Sequence, residues 1–371
     1  MNRLVIVSHP AVLPVNQLAY AELTRRGWDV RLLVPSRWRN DYRPLAFAPE
    51  AVPELASRMT PLPIVLAGRP QRHVYLANPL ARLRRIRPDV AFFEAEPSSL
   101  AAAQWASAAA RLGIPFGVQQ AENLDRPLPS AIRALRSRVL GAAAFVAARS
   151  PNAAELARKW GAHGEVTVIP HHVPPWGISA GAHATFTVGY AGRLSAEKGL
   201  DTLVAAARRL RAPVDLLVAG DGALRPWLEG VDLGGDRRLV LRTNLLHGQM
   251  ASAYEEMDVL VLPSRTTPTW VEQFGRVLVE ALWCGVPVIG SDSGEIPWVI
   301  GVTGGGVTFP EGDDAALAAA ITALRDDPGG RARIREEGRR HVAELFGVEA
   351  VATALEQTLA RVRGRGAGAR R

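Results

Sequence analysis

The chain has 371 residues, 48% of them apolar and 22% charged, with a formal net charge of +8. That balance excludes a disordered or fibrous chain and suffices for two domains of ordinary size. No apolar run approaches the ~20 residues that span a bilayer, and a single cysteine, Cys284, leaves no internal disulfide and no cysteine metal cluster.

The first segment, "MNRLVIVSHP", carries an apolar run too short for a secretory leader and reads as a first buried strand, so a cytoplasmic location is expected. Short apolar runs then alternate with helical patterns. "LVIVSH", "VRLLVP", "DVAFFEAE", "PFGVQQ", "AFVAARS" and "VTVIPHH" predict strands buried on both faces, separated by helix-length stretches such as "SSLAAAQWASAAARLG" and "PNAAELARKWG". This alternation predicts a parallel sheet covered by helices. Residues 170–184, "PHHVPPWGISAGAHA", are rich in proline and glycine and mark the domain boundary and hinge. The alternation restarts in "TFTVGYAG", "VDLLVAG", "RLVLRT", "DVLVLPS" and "VPVIG". The expected domains are 1–175 and 184–345. A last helix at about 347–362 follows, and its sequence leaves open whether it returns to the first domain. The tail "RVRGRGAGARR" reads as a frayed end.

Basic residues are arginine except for Lys159 and Lys198. A basic surplus favours phosphorylated ligands or anionic surfaces. The arginine bias is read as genomic composition, and no nucleic-acid partner is expected. In "GYAGRLSAEKGLDTLVAAARRL" the apolar spacing starts a helix near Leu200, which leaves Arg193 and Lys198 on a loop just past the strand end at Gly192. A forked guanidinium and a point-charge ammonium there suit a diphosphate; the alternative is a solvated loop with an Arg193–Glu197 pair. In "EQFGRVLVEALWCG" the stripe Val277, Leu278, Ala281 and Leu282 predicts a helix from about Gly275 to Cys284, stopped by Gly285 and Pro287. Glu272 then precedes the helix and Glu280 lies on it. The helix start at Phe274, Gly275 and Arg276 suits an anion, and the two carboxylates suit sugar hydroxyls. The alternative is an Arg276–Glu280 surface pair worth ~0.3–0.5 kcal/mol. A molecule with a sugar at each end of a diphosphate, a nucleotide sugar, meets both needs.

"GRLSAEKGLDTL", "AGDG", "MDVLVLPS", "EQFGRVLVEALWCGVPVIGSDSGEIPWVIG" and "GGGVTFPEGD" together resemble the retaining nucleotide-sugar glycosyltransferases of family four. The resemblance covers nearly all of the second half and is weaker in the first. It implies a GT-B fold, two doubly wound Rossmann-like α/β domains facing a central cleft, with the first binding an acceptor and the second the donor. It implies that Arg193 and Lys198 grip the donor diphosphate and that Glu280 holds the ribose. Glu272 would meet the donor sugar, Phe274 and Gly275 would lie along sugar and phosphate, and Leu246 and His247 would bracket the base. It implies transfer of a hexose from a UDP- or GDP-sugar with retention to a glycan, lipid-linked sugar or small molecule; with no Asp-x-Asp pair at a strand end, neither metal nor cofactor is expected. On the acceptor side the sequence departs from the family pattern, and Glu122, Asn123, His9 and Asn16 stand as candidates. His171 and His172 are read as turn or packing residues.

Three alternatives remain beside this one: a nucleotide-sugar epimerase of the same fold, a non-catalytic partner subunit, and a nicotinamide oxidoreductase. The last would need a glycine fingerprint after the first strand, which "VSHPAVLP" lacks. The basic stretches "ARLRRIR" and "IRALRSR", read as exposed helix faces, permit an anionic acceptor or peripheral contact with an anionic membrane.

Overall fold

A computed structural model describes residues 2–40, 43–177, 183–211, 213–245 and 247–368. The chain divides into two compact units, Met1–His172 with Val348–Arg371, and Val173–Gly347. Residues 178–182 of the segment read as a hinge lie outside the described residues.

The first unit runs β1 (Arg3–Ser8), α1 (Leu18–Arg25), β2 (Asp29–Pro35), β3 (Trp38–Asn40), β4 (Arg43–Phe47), β5 (Met59–Leu62), β6 (Ile64–Val65), β7 (Val74–Tyr75), α2 (Pro79–Ile86), β8 (Val90–Glu94), α3 (Leu100–Arg111), β9 (Phe116–Gln120), α4 (Ser130–Ala142), β10 (Phe145–Ala148), α5 (Pro151–Lys159) and β11 (Glu165–Val168). Seven of these strands form a parallel sheet in the order β11-β10-β9-β8-β1-β2-β5. The period of two decides which core each residue joins. On β1, Leu4 and Ile6 pack toward α1, while Val5 and Val7 pack into the opposite core with Trp105 and Leu83. Asn78, Ser99 and Ser150 cap α2, α3 and α5 by accepting backbone N–H groups of Ala81, Ala102 and Ala153.

The second unit runs β12 (Phe186–Ala191), α6 (Leu200–Arg209), β13 (Val214–Ala219), α7 (Arg225–Glu229), β14 (Arg237–Arg242), α8 (Met250–Glu255), β15 (Val259–Leu262), α9 (Arg276–Trp283), β16 (Val288–Ser291), α10 (Ile296–Thr303), β17 (Gly306–Phe309), α11 (Asp314–Asp326) and α12 (Pro328–Phe346). Its parallel sheet has the order β14-β13-β12-β15-β16-β17. The final helix, α13 (Val348–Gly368), belongs to the first unit. Leu355 and Leu359 sink into the core beside α1, Trp28 Nε1 donates to Glu356 Oε1 at 2.9 Å, and Arg26 reaches Glu356 at 3.1 Å.

In each sheet the chain first builds outward on one side and then returns to build on the other. The reversal falls between β1 and β8 in the first unit and between β12 and β15 in the second. In open α/β sheets, ligands bind outside the carboxyl ends of strands at such a reversal.

The structure adds to the sequence reading in one segment and corrects it in two. The segment between β2 and α2 carries the short pairs β3–β4 and β6–β7, which no periodicity announced. And "IRALRSR" is not a uniformly exposed face: Arg136 is buried, its guanidinium 3.6 Å from the Trp160 ring centroid. The tail is helical to Gly368, and residues 369–371 lie outside the described residues.

Leu359→Ala should lower the stability of the first unit by ~2–5 kcal/mol through a cavity under α13. Urea unfolding of that unit checks this, and an unchanged midpoint would mean that the helix contributes nothing there.

Candidate functional site

The second unit's sheet reversal is built by glycines that let loops close on strand ends. A Cβ on Gly199, at φ +65°, would sit 1.9 Å from the Pro263 carbonyl oxygen; one on Gly294, at φ +56°, would sit 2.1 Å from that of Glu272. Only glycine combines these conformations with such approaches. The loop after β12 and the loop after β15 are thereby brought side by side.

Across that seam Lys198 Nζ donates to Glu272 Oε2 at 2.6 Å, and the Ser264 hydroxyl donates to the same oxygen at 2.9 Å. The two charged side chains are only 13% and 9% exposed. Lys198 Nζ also lies 4.7 Å from the Trp270 ring centroid. Arg193 stands on the same loop, more exposed, with a long 3.4 Å contact to Glu197. Gly192 continues the β12 end at φ +144°, where its N–H donates to Ala219 O.

Gly275, at φ +72°, caps α9 from the left-handed region, and α9 starts at Arg276. The first turn of any helix presents N–H groups without intrahelical partners. The Phe274 side chain turns into the core against Trp298 and Phe346, so at this position the backbone, not the ring, faces the loop. Glu280 is buried; it accepts the Tyr254 hydroxyl at 2.8 Å and pairs with Arg276 at 2.9 Å. The Arg276–Glu280 pair, weighed from the sequence as the alternative surface contact, is a half-buried one. Burial raises the Glu280 carboxyl, with Arg276 and the Tyr254 hydroxyl opposing that shift. Burial also pushes the Cys284 thiol up to about 12, which makes it inert packing. The structure brings Arg193, Lys198 and Glu272 to the reversal; Glu280 lies on α9, whose N-terminus is held there by Gly275. Leu246 lies outside the described residues, and of His247 only its place in a short 3-10 turn, His247–Gln249, is described.

The first unit has its own link across its reversal, between residues the sequence reading passed over. The Ser8 hydroxyl donates to Glu94 Oε2 at 2.5 Å, and Arg149 Nη2 donates to Glu94 Oε1 at 2.6 Å and to Gln119 at 2.6 Å. Both members of the Glu94–Arg149 pair are 7% exposed. The available signal was an acid ending the apolar run "DVAFFE". A pocket beside this pair is lined by Asn16, Tyr20, His171 and His172 among others. Asn16 donates to Pro10 O, and His172 Nε2 lies 2.6 Å from Val15 O, a packing role. Glu122 accepts from Arg126 at 3.0 Å. Glu96, also passed over, accepts the Ala121 N–H at 2.7 Å and so anchors the loop that carries Glu122 and Asn123; burial pushes Glu96 up to about 7. The His9 ring lies tilted against Trp38 and His73, its centroid 4.9 Å and 5.3 Å from theirs, with its Nδ1 enclosed and unpartnered among the described residues. No group of three or more His, Cys, Asp or Glu among the described residues could hold a metal ion.

Residues 15–172 match the family profile described as Glycosyl transferase 4-like domain, and residues 185–327 the one described as Glycosyl transferases group 1. Sucrose-phosphate synthase from Thermosynechococcus elongatus superposes with a TM-score of 0.73 at 21% identity over 98% of this chain and 100% of that one. Anabaena HepE, crystallised with UDP-glucose, gives 0.69 at 17% identity over 97% and 100%. Glycogen synthase of Mycobacterium tuberculosis is 33% identical over 183 residues, 47% of this chain and 42% of the relative. The 2-deoxystreptamine N-acetyl-D-glucosaminyltransferase of Streptomyces fradiae is 33% identical over 211 residues, 53% and 47%. The chain spans about half the length of these curated relatives. Its two parallel-sheet units define a GT-B fold. In chain order, the first unit carries the match to the 4-like profile and the second the match to the group 1 profile.

Two outcomes follow. Lys198→Ala would leave the buried Glu272 carboxylate without its cation and should cost the second unit ~3–5 kcal/mol, whereas Lys198→Met with Glu272→Gln should recover most of the loss; urea unfolding of the three chains separates them, and equal stabilities would contradict the pairing. Burial, with His73 nearby, pushes His9 from 6.5 down to about 3. The unfolded ring binds a proton that the folded ring refuses, so stability should fall as pH drops from about 6.5 toward 3, by at most ~1.4 kcal/mol per pH unit. His9→Leu should flatten that slope in urea titrations at stepped pH; an unaltered slope would show that His9 is not the group responsible.

Proposed function

We propose that the chain is a retaining glycosyltransferase that moves a hexose from a UDP- or GDP-sugar to an acceptor hydroxyl in glycoconjugate, polysaccharide or glycosylated-metabolite synthesis. The observation that carries this reading is the Lys198–Glu272 pair at the sheet reversal, beside Arg193 and the N-terminus of α9. A cation and a carboxylate paired at a sheet reversal are the two groups that a diphosphate and a sugar hydroxyl would each claim. Donor phosphate would draw Lys198 away, and Glu272 would turn to the sugar. UDP-glucose in the crystallised Anabaena protein of the same fold supports the donor class, and the curated relatives support sugar transfer.

In such a transfer, negative charge grows on the leaving diphosphate as the anomeric bond lengthens. Arg193, the first N–H groups of α9 and, once it has left Glu272, Lys198 would neutralise it. No metal is invoked. Glu280 would hold the ribose hydroxyls by exchanging its Tyr254 and Arg276 contacts for them, and Leu246 and His247 would border the base. The acceptor hydroxyl would attack from the leaving-group side and pass its proton to the diphosphate. On the acceptor side we place Glu122, Asn123, His9 and Asn16, with Glu96 supporting the loop that carries the first two.

Arg193 provides the cleaner probe of the pair, because its side chain is 38% exposed and its contact to Glu197 is long. Arg193→Ala should lower kcat/KM for a UDP- or GDP-hexose about 10²–10³-fold with the melting temperature little changed, measured as nucleoside diphosphate release in the presence of sugar acceptors. Unchanged turnover in the variant would remove the diphosphate role. No release from any nucleotide sugar by the parent chain, with no thermal stabilisation by UDP or GDP, would remove the reading itself.

A further inference from the structure

Six large hydrophobic residues are exposed among the described residues, and four of them, Val65, Leu66, Leu76 and Leu100, meet on one small region of the first unit. The β6–β7 hairpin pairs Ile64 with Tyr75 and Val65 with Val74. By the period of two, Ile64 and Tyr75 share the inner face, where Tyr75 is 2% exposed. Val65, Val74 and Leu76 share the outer face, where an antiparallel pair in water normally sets polar side chains. Here that face is aliphatic, with Leu76 65% exposed.

The turn adds a second anomaly. Leu66 sits at φ +58°, a left-handed conformation that glycine or asparagine adopts far more readily, and its side chain is 56% exposed. A leucine more than half exposed, in a backbone conformation it does not favour, is not explained by burial. The loop that carries it is held from within: His73 is 1% exposed, its Nδ1 lies 3.0 Å from Pro70 O, and its ring meets Tyr75 edge-on. Leu100 N donates to Gln71 O, which sets the start of α3 against the same loop.

Charge frames this patch with one sign. Residues 62–88 contain six arginines and no acidic residue. Arg69 and Arg72 are exposed on the loop, and Arg39 is exposed where its Cβ would lie 2.9 Å from a Cβ on Gly68. None of the three is in an ion pair among the described residues.

We propose that the β6–β7 hairpin, with Leu100 and the arginines around it, is a docking surface for an anionic lipid bilayer. Aliphatic side chains at a rigid tip enter the headgroup boundary, and the guanidiniums meet lipid phosphates. A second copy of the chain fits poorly, since a two-fold contact would set arginine against arginine. Single-stranded nucleic acid fits poorly as well, since the outer face offers no aromatic ring for stacking. This surface is independent of the donor site, so its test stands apart from the transferase reading.

The test uses the full chain and vesicles of phosphatidylglycerol mixed with phosphatidylcholine, against phosphatidylcholine alone, read by co-sedimentation. The parent chain should bind the anionic vesicles only, and high salt should weaken the binding. Leu66→Asn with Leu76→Asn should reduce affinity about tenfold or more while keeping the melting temperature, since asparagine suits the left-handed turn. Arg69→Gln and Arg72→Gln should each cost about fivefold. No binding to the anionic vesicles, or full binding by both sets of variants, would overturn the proposal. So would a concentration-dependent dimer that the asparagine variants dissolve, which would assign the face to a second copy.

Discussion

The second unit depends on a buried bond between Lys198 and Glu272, residues that are 74 positions apart in the chain. A lysine and a glutamate lose strong hydration when they are enclosed, and a well-aligned hydrogen-bonded pair recovers it only when both partners stay in place. The fold is arranged to keep them there. Glycine at 199 and 294 permits the loops to close, the Ser264 hydroxyl supports the carboxylate, and the Trp270 ring lies near the ammonium. Such a pair is weak evidence of stability, since apolar residues of similar size would serve the core at least as well. Its position at the sheet reversal is what gives it chemical meaning.

The two units solve the same problem with different atoms. Each reverses its strand order once, and each closes the seam with a buried carboxylate: Glu94, held by Ser8 and Arg149, in the first, and Glu272, held by Lys198 and Ser264, in the second. Arginine anchors the first carboxylate through Nη2, which also donates to Gln119, while Nη1 donates to Ile169 O, so the planar group is held from two sides. Lysine anchors the second through one flexible point charge, which can move to another oxygen without dismantling a planar network. This difference is consistent with a fixed frame in the first unit and an exchangeable contact in the second.

Much of the fold was legible because strands buried on both faces must be written as continuous apolar runs, and helices between them must keep a 3.6 period. The runs from "LVIVSH" to "VPVIG" follow from that rule, as does the start of α6 at Leu200. The short β3–β4 and β6–β7 pairs were not legible, because two or three residues carry no period. Nor was the return of α13 to the first unit, since an amphipathic helix does not name the surface that covers it. In the site, Lys198, Glu272 and Glu280 stood out by residue type and position relative to strand and helix ends. Their mutual contacts did not: the Lys198–Glu272 bond and the Glu94–Arg149 pair, 55 residues apart, arise only when distant strand ends meet. The burial of Glu280 against Tyr254 was likewise invisible, because the stripe of α9 was drawn without knowing which neighbours flank it.

A crystal structure of the chain with an intact UDP- or GDP-hexose tests the central claim most directly. The account predicts the diphosphate at the end of β12, within 2.7–3.2 Å of Arg193, Lys198 and the first N–H groups of α9, with Lys198 drawn off Glu272. A nucleotide bound elsewhere, or bound there with the Lys198–Glu272 bond intact and no phosphate contact to either cation, would contradict it.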